Sequence, residues 1–262
     1  MMRISFTRVI GAATLLILPL PILIVVIVSF TSAGYLSFPI KGISLRWYVE
    51  FLGSVDWLAY LGTSAALAII AAAVSTGATF AAAWAIVRMG MRHGAAYETA
   101  LLTPLIFPHA AVGVIMIVIL AGVGGLGTFA GLALVHCILT VPYAYRPIAS
   151  ALKKSDPALE EAAMSLGARP WRTFWQVTLP AVRPGLVTSL LFSFIISFDE
   201  VTVTMFLVGP FVMTLPVQVF SEVLESASPI IAAVSAFLVL FTTLMVFVLD
   251  KFVGLEFFVE RD

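Results

Sequence analysis

Two neighbouring pairs of carboxylates are the residues of this sequence best placed to do chemistry, Glu160-Glu161 and Asp199-Glu200. The second pair lies in an otherwise apolar run. An ionised Asp near the centre of a membrane span costs about 2.5–3.5 kcal/mol on insertion scales, so such a residue faces a cavity or a partner. Successive helical residues diverge by about 100°, so one carboxylate can line a cavity while the other bonds a neighbouring helix. Asp199 and Glu200 are therefore candidates for a path taken by a polar or cationic solute, and Glu222 and Glu225 further on add charge of the same sign. The alternative is an interfacial pair, capping a helix or bonded to a neighbour without touching solute.

Other patterns carry less. His93, His109 and His136 have no ligand spacing, so no metal site is expected. Gly122-x-Gly124-x-x-Gly127 matches a dinucleotide fingerprint in letters only; it joins two apolar stretches and follows no strand, which predicts a tight turn. No G-x-x-x-x-G-K-[ST] occurs, so the chain does not cradle ATP phosphates in that way. Cys137 is the single cysteine and reads as a small apolar filler.

The elements that must hold these residues belong to a membrane protein. The 262 residues are 61% hydrophobic and 11% charged, against about 25% charged in soluble domains, and the mean hydropathy is +1.12. Zero formal net charge gives no basic face for nucleic acid. A hydrocarbon core about 30 Å thick needs roughly 20 apolar residues as helix. Six stretches qualify, at about 9–30, 58–87, 99–121, 128–149, 181–208 and 229–252, and lipid requires each to satisfy its own backbone as helix. The first is longer than the apolar region of a secretory signal and reads as a retained anchor. The second and fifth are overlong, which predicts tilt or extension beyond the bilayer. Small residues crowd the second, as close helix packing in lipid demands. Trp47, Tyr48, Trp57 and Tyr60 suit an outer aromatic belt or a short surface helix, and Pro104, Pro108, Pro142 and Pro147 can kink spans as hinges or as plain packing features.

Position, not number, makes the 14 cations informative. With six spans, Arg3, Arg8, Arg88, Arg92, Arg146, Lys153, Lys154, Arg169, Arg172, Arg183, Lys251 and Arg261 fall in one alternating set of segments, and only Lys41 and Arg46 in the other. The positive-inside rule then puts both termini, and the long segment between spans four and five, in the cytoplasm.

That segment, about 151–180, is too polar to cross a membrane. Asp156-Pro157 reads as an N-cap with proline in the first turn, and Glu160 and Glu161 favour the positive end of the helix dipole. A helix is expected from Pro157 to about Leu166, ended by Gly167. A second short helix starts at Pro170, runs through Trp171, Phe174 and Val177, and is closed by Leu179-Pro180. Leu159, Ala162, Ala163 and Leu166 recur at i, i+3, i+4, i+7, giving an apolar stripe able to enter a groove on a soluble partner.

Glu161-Ala162-Ala163-x3-Gly167-x9-Val177-x-Leu179-Pro180 resembles the EAA loop of binding-protein-dependent ABC importer permeases, departing only in Val177, where that family usually has isoleucine. Beyond the loop, Trp47-Tyr48, the stretch Ser197 to Val201, Gly209-Pro210 and Leu215-Pro216 are similar, more loosely, to the second permease of spermidine/putrescine-type importers. The resemblance implies an all-α type I permease, one transmembrane domain over 1–262, in the bacterial inner membrane. It implies that Glu160, Glu161, Ala162, Ala163, Leu166, Gly167, Val177, Leu179 and Pro180 form a coupling helix region seated on an ATPase subunit. The implied partners are a second permease, two ATP-binding cassette subunits that hold ATP and magnesium, and a periplasmic solute-binding protein. This chain would hold no cofactor and do no catalysis; it would pass a small, polyamine-like cation by alternating access. Competing readings are an ABC permease for another solute, such as an amino-acid derivative, opine, phosphonate or iron, a self-contained secondary transporter using Asp199 or Glu200 as its ion site, and a membrane scaffold without a pore.

Overall fold

The computed structural model describes residues 6–226 and 228–253; Arg3 and Arg261, and the side chain of Arg8, lie outside the described part. Twelve α-helices are described: α1 Phe6–Ile17, α2 Leu20–Ser29, α3 Arg46–Gly53, α4 Val55–Ala83, α5 Gly94–Leu102, α6 His109–Gly122, α7 Phe129–Lys154, α8 Ala158–Ser165, α9 Pro170–Thr173, α10 Leu179–Phe198, α11 Leu215–Glu225 and α12 Pro229–Val253. No strand occurs among the described residues beyond two isolated bridges.

Where the sequence predicts six spans, the described residues contain four helical stretches long and apolar enough to cross a bilayer: Val55–Arg88, Phe129–Lys154, Pro170–Phe198 and Pro229–Val248. A fifth exists if the pair Gly94–Leu105 and His109–Gly122, bent by 98°, is counted as one broken span. Proline interrupts the first and third predicted spans, the first leaving an apolar helical stretch Ala13–Ser29 among the described residues. Pro19 lacks an N–H and its ring clashes with the preceding turn, so the stretch 9–30 divides into α1 and α2 of 12 and 10 residues. Pro108 sits extended at φ −57°, ψ 132° and separates α6 from the turn Thr103–Leu105. Pro142 and Pro147, by contrast, lie inside an unbroken α7.

The fifth predicted span moves. Its helix stops at Phe198, not near 208, because the β-branched run Val201-Thr202-Val203 favours helix poorly and the Glu200 carboxylate takes the Val203 N–H at 2.7 Å. At the other end it begins early: α9 passes through a π-helical turn, Phe174–Thr178, straight into α10. Leu179-Pro180 therefore does not close a separate helix. The wider π turn lies across the carbonyls that the ring of Pro180 would otherwise strike, so the chain absorbs the proline without a break.

The described residues within 1–59 and 218–244 form one compact unit, and those within 60–217 and 245–262 form another. In the first, Trp47 and Tyr48 lie on the short helix α3, one of the two settings expected for them, and with Trp57 they turn inward. The buried Trp47 donates Nε1–H to the Thr31 carbonyl at 3.1 Å, Tyr48 Oη bonds Ser29 Oγ at 2.6 Å, and Phe51 packs between Trp57 and Phe237.

The second unit is built around α7. One apolar cluster (Leu67, Leu120, Leu132, Val135, Leu139, Val203, Leu207) surrounds its beginning and another (Ala83, Tyr145, Ile148, Ala149, Ala151, Leu152, Val182) surrounds its end. Between them Thr76 Oγ1 meets Ser189 Oγ at 2.9 Å, joining α4 to α10. Such a bond contributes about 0.6 kcal/mol in membrane helices. Helix α10 lies directly on α7 because Gly185 has no side chain: a Cβ there would stand 2.7 Å from the Pro147 carbonyl oxygen and 2.6 Å from Ala151 Cβ. Gly185→Ala is expected to destabilise the purified chain by about 1–3 kcal/mol through overpacking. Gly77→Ala, with nothing within 4 Å, should be neutral or gain a few tenths of a kcal/mol. Thermal unfolding in detergent distinguishes the two, and equal melting temperatures would contradict the close approach.

Candidate functional site: the α8 segment and the Asp199-Glu200 turn

The segment between α7 and α10 is ordered by its own backbone. Asp156 Oδ1 accepts the Ala158 N–H at 2.9 Å, capping α8, and Glu160 and Glu161 fall in the first turn as the dipole favours. At the other end Gly167 takes φ +91°, its N–H bonds the Met164 carbonyl at 2.9 Å, and the Ala168 N–H reaches back to the Ala163 carbonyl at 3.1 Å. This is a Schellman turn. The four-residue spacing from Ala163 to Gly167 places the acceptor carbonyl and the left-handed residue where that turn needs them.

With its ends tied, α8 leaves its apolar positions uncovered. Leu159 and Ala162 are exposed, Ala163 is partly so, and Leu166 is 90% exposed. Trp171, at 71%, and Trp175 extend this surface past the turn. Val177 and Leu179 are half-buried and Pro180 is exposed. Glu161 points outward, but Glu160 does not.

Glu160 is held from α4, which continues through a π-helical turn, Trp84–Arg88. Arg88 Nη2–H donates to the Ser155 carbonyl at 2.7 Å, and its Nε lies 3.4 Å from Glu160 Oε1, with side chains 9% and 18% exposed. Removing one partner leaves a poorly solvated charge, though for less than the ~3–5 kcal/mol of a fully buried pair. Phe174 packs edge-on against Trp84 and Phe80 of the same chain stretch as Arg88, with centroids 5.6 and 6.1 Å apart. The exposed pair of Lys153 and Glu98, 3.4 Å apart, adds little.

At the far end of α10 the two carboxylates part. Asp199 follows the last helical residue and is exposed. Glu200 is 8% exposed: Oε1 takes the Val203 N–H, and Oε2 lies 3.3 Å from His109 Nδ1 at the start of α6. Neither stands inside a helical span. Beside them the buried His136 of α7 bonds Ser197 Oγ through Nδ1 at 2.7 Å and Thr204 Oγ1 through Nε2 at 3.0 Å, pinning the turn that leaves α10. The fingerprint-like glycines form a turn here, with Gly124 and Gly127 at φ +70° and +71°, and Gly127 packs on Gly209 so closely that a Cβ on the latter would meet its Cα at 2.9 Å.

Arg88, Trp84, His109 and His136 were not singled out as site residues by sequence reasoning. Arg88 and His109 act on partners 72 and 91 positions away, a distance at which periodicity leaves no trace. Among the described residues no three His, Cys, Asp or Glu converge to hold a metal.

Because Glu200 holds a buried backbone N–H, Glu200→Ala is expected to lower stability by about 1–3 kcal/mol, whereas Asp199→Asn should change it by less than about 0.5 kcal/mol. Thermal unfolding of the two purified variants checks this, and equal losses would contradict the division of labour.

Residues 77–255, more than half of the chain, match the family model described as binding-protein-dependent transport system inner membrane component. The putrescine transport system permease protein PotI of Escherichia coli (strain K12) is 32% identical over 222 residues, covering 82% of this chain and 79% of that protein. The spermidine/putrescine transport system permease protein PotC of Haemophilus influenzae is 30% identical, covering 87% and 88%. In fold, the chain is similar to a chain in the crystal structure of a bacterial ABC transporter involved in the import of the acidic polysaccharide alginate, with TM-score 0.69, 15% identity, and 96% and 99% of the two chains covered. A helical fold shared with that transporter, and a family match spanning α8, α10 and the Asp199-Glu200 turn, identify the chain as a member of the binding-protein-dependent transport system inner membrane component family, the permease component of an ABC importer.

Proposed function

We propose that this permease carries a small polyamine-like cation inward by alternating access, driven by ATP hydrolysed on separate subunits. The observation that carries the drive is the α8 segment, whose ends are fixed by Asp156 and Gly167 while Leu159, Ala162 and Leu166 stay uncovered. A rigid apolar face on a short helix suits a groove on a soluble partner, and the partner that fits an ABC permease is its ATPase. The segment then lies in the cytoplasm, as the cations around it favour. Glu160, Glu161, Ala162, Ala163, Leu166, Gly167, Val177, Leu179 and Pro180 form the coupling region, with two ATPase subunits, a second permease and a periplasmic binding protein completing the importer. ATP and magnesium bind on the ATPase subunits.

The solute reading rests on two supports. The relatives at 30–32% identity are putrescine and spermidine/putrescine permeases. Asp199, exposed beside the mouth of α10, offers a carboxylate to a cation, while Glu200 keeps the turn in place. The fold itself does not set the sign of the solute, since a chain of an alginate importer shares it.

Proteoliposomes holding the assembled importer and its binding protein test this reading. Radiolabelled putrescine should accumulate only when ATP and binding protein are supplied on their proper sides, and Asp199→Asn should slow uptake about threefold to tenfold, the size of one lost charge contact. Accumulation driven by a proton or sodium gradient without ATP would establish a secondary transporter instead.

A further inference from the structure

We propose that Arg88 is a positioning residue that makes α8 and the C-terminal end of α4 move as one body, so that ATP-driven displacement of α8 reaches α4 sideways as well as passing along the chain into α10. The inference rests on the proposed function in taking α8 as the segment the ATPase moves. Three observations carry it.

Arg88 straddles the joint between α7 and α8. Its guanidinium holds the Ser155 carbonyl that ends α7 through Nη2 at 2.7 Å and faces Glu160 in the first turn of α8 through Nε at 3.4 Å. Only Ser155, Asp156 and Pro157 lie between those two helices, so the angle of α8 is set from α4.

Arg88 is aimed by a change of helix type. In the turn Trp84–Arg88 the backbone bonds run one residue longer than in an α-helix, with Met89 N–H on the Trp84 carbonyl at 3.2 Å. An inserted residue rotates the chain beyond it by about 100°, which brings Arg88 to the joint rather than past it.

The contact also has a second point. Phe174, the first residue of the other π turn, packs on Trp84 and Phe80 of the same helix end. A polar contact at the start of α8 and an aromatic one beyond its end resist rotation as well as translation. A guanidinium suits the polar point because it is planar and always charged, holding the Ser155 carbonyl by a hydrogen bond while its charge faces Glu160.

The test uses the assembled importer in nanodiscs with Cys137→Ala and spin labels at Ile69→Cys on α4 and Ala158→Cys on α8, both exposed positions. The inter-label distance distribution is compared between nucleotide-free and vanadate-trapped states, alone and with Arg88→Gln, Glu160→Gln or both. The expected result is one unshifted distribution without further substitution. In each single variant it shifts or broadens on trapping, and the double variant behaves no worse than either single one because they share one contact. Putrescine transported per ATP hydrolysed should fall about tenfold in the single variants, with Arg88→Lys intermediate because it keeps the charge and loses the fork. A distance that changes without the Arg88 and Glu160 substitutions overturns the proposal. So does one that stays fixed in Arg88→Gln, or a loss of ATPase and uptake together in proportion to complex yield, which would make the pair a folding brace. The distance readout needs no solute, so an importer that keeps α4 and α8 together yet takes up no putrescine contradicts only the solute assignment.

Discussion

Where α10 crosses α7, Gly185 rests on the carbonyl of Pro147 with no room for a methyl group, and the second unit is arranged around that crossing. Two helices in lipid gain little from hiding apolar surface, since lipid is as apolar as they are; they hold by close packing and by hydrogen bonds. The glycine supplies the first and the Thr76–Ser189 bond reinforces it from α4. Because the end of α7 meets the start of α10 where Gly185 faces Pro147 and Ala151, the residues between Lys154 and Pro170 connect the two at one end. At the other end the exit from α10 is forced against the start of α7, where His136 captures Ser197 and Thr204.

That arrangement gives each carboxylate pair one inward-turned and one exposed member. Glu160 and Glu200 turn inward, to Arg88 and to His109 with the Val203 N–H; Glu161 and Asp199 turn outward. The 100° between successive helical residues accounts for the division at Glu160-Glu161. At Asp199-Glu200 the helix has already ended, and the turn residue Glu200 bends back to serve the backbone. In both places a carboxylate with structural contacts sits beside one that is exposed.

Much of this was legible from residues whose effect is local. Asp156, Pro157 and Gly167 announced the limits of α8 to within a residue, and the apolar runs located α4, α7 and α12. Local rules fail where two of them conflict or where a partner is distant. Pro19 and Pro108 sit in runs apolar enough to span, and hydropathy alone cannot register the missing N–H that divides them. Pro180 misleads in the opposite sense, because a π turn lets the helix continue through it. Trp47 and Tyr48 have the composition of an interfacial belt, yet their polar atoms find Thr31 and Ser29 inside the first unit. The Arg88 and His109 contacts depend on how helices far apart in sequence are placed, which no spacing rule encodes.

If the importer is driven as proposed, the uncovered face of α8 is the docking surface for the ATPase. A photo-crosslinking amino acid placed at Leu166, in the importer assembled with its ATPase subunits, measures that contact. An adduct with an ATPase subunit is expected from position 166, and none from Val114 on α6, which is also exposed. No adduct from 166, or equal adducts from both, would contradict the docking assignment.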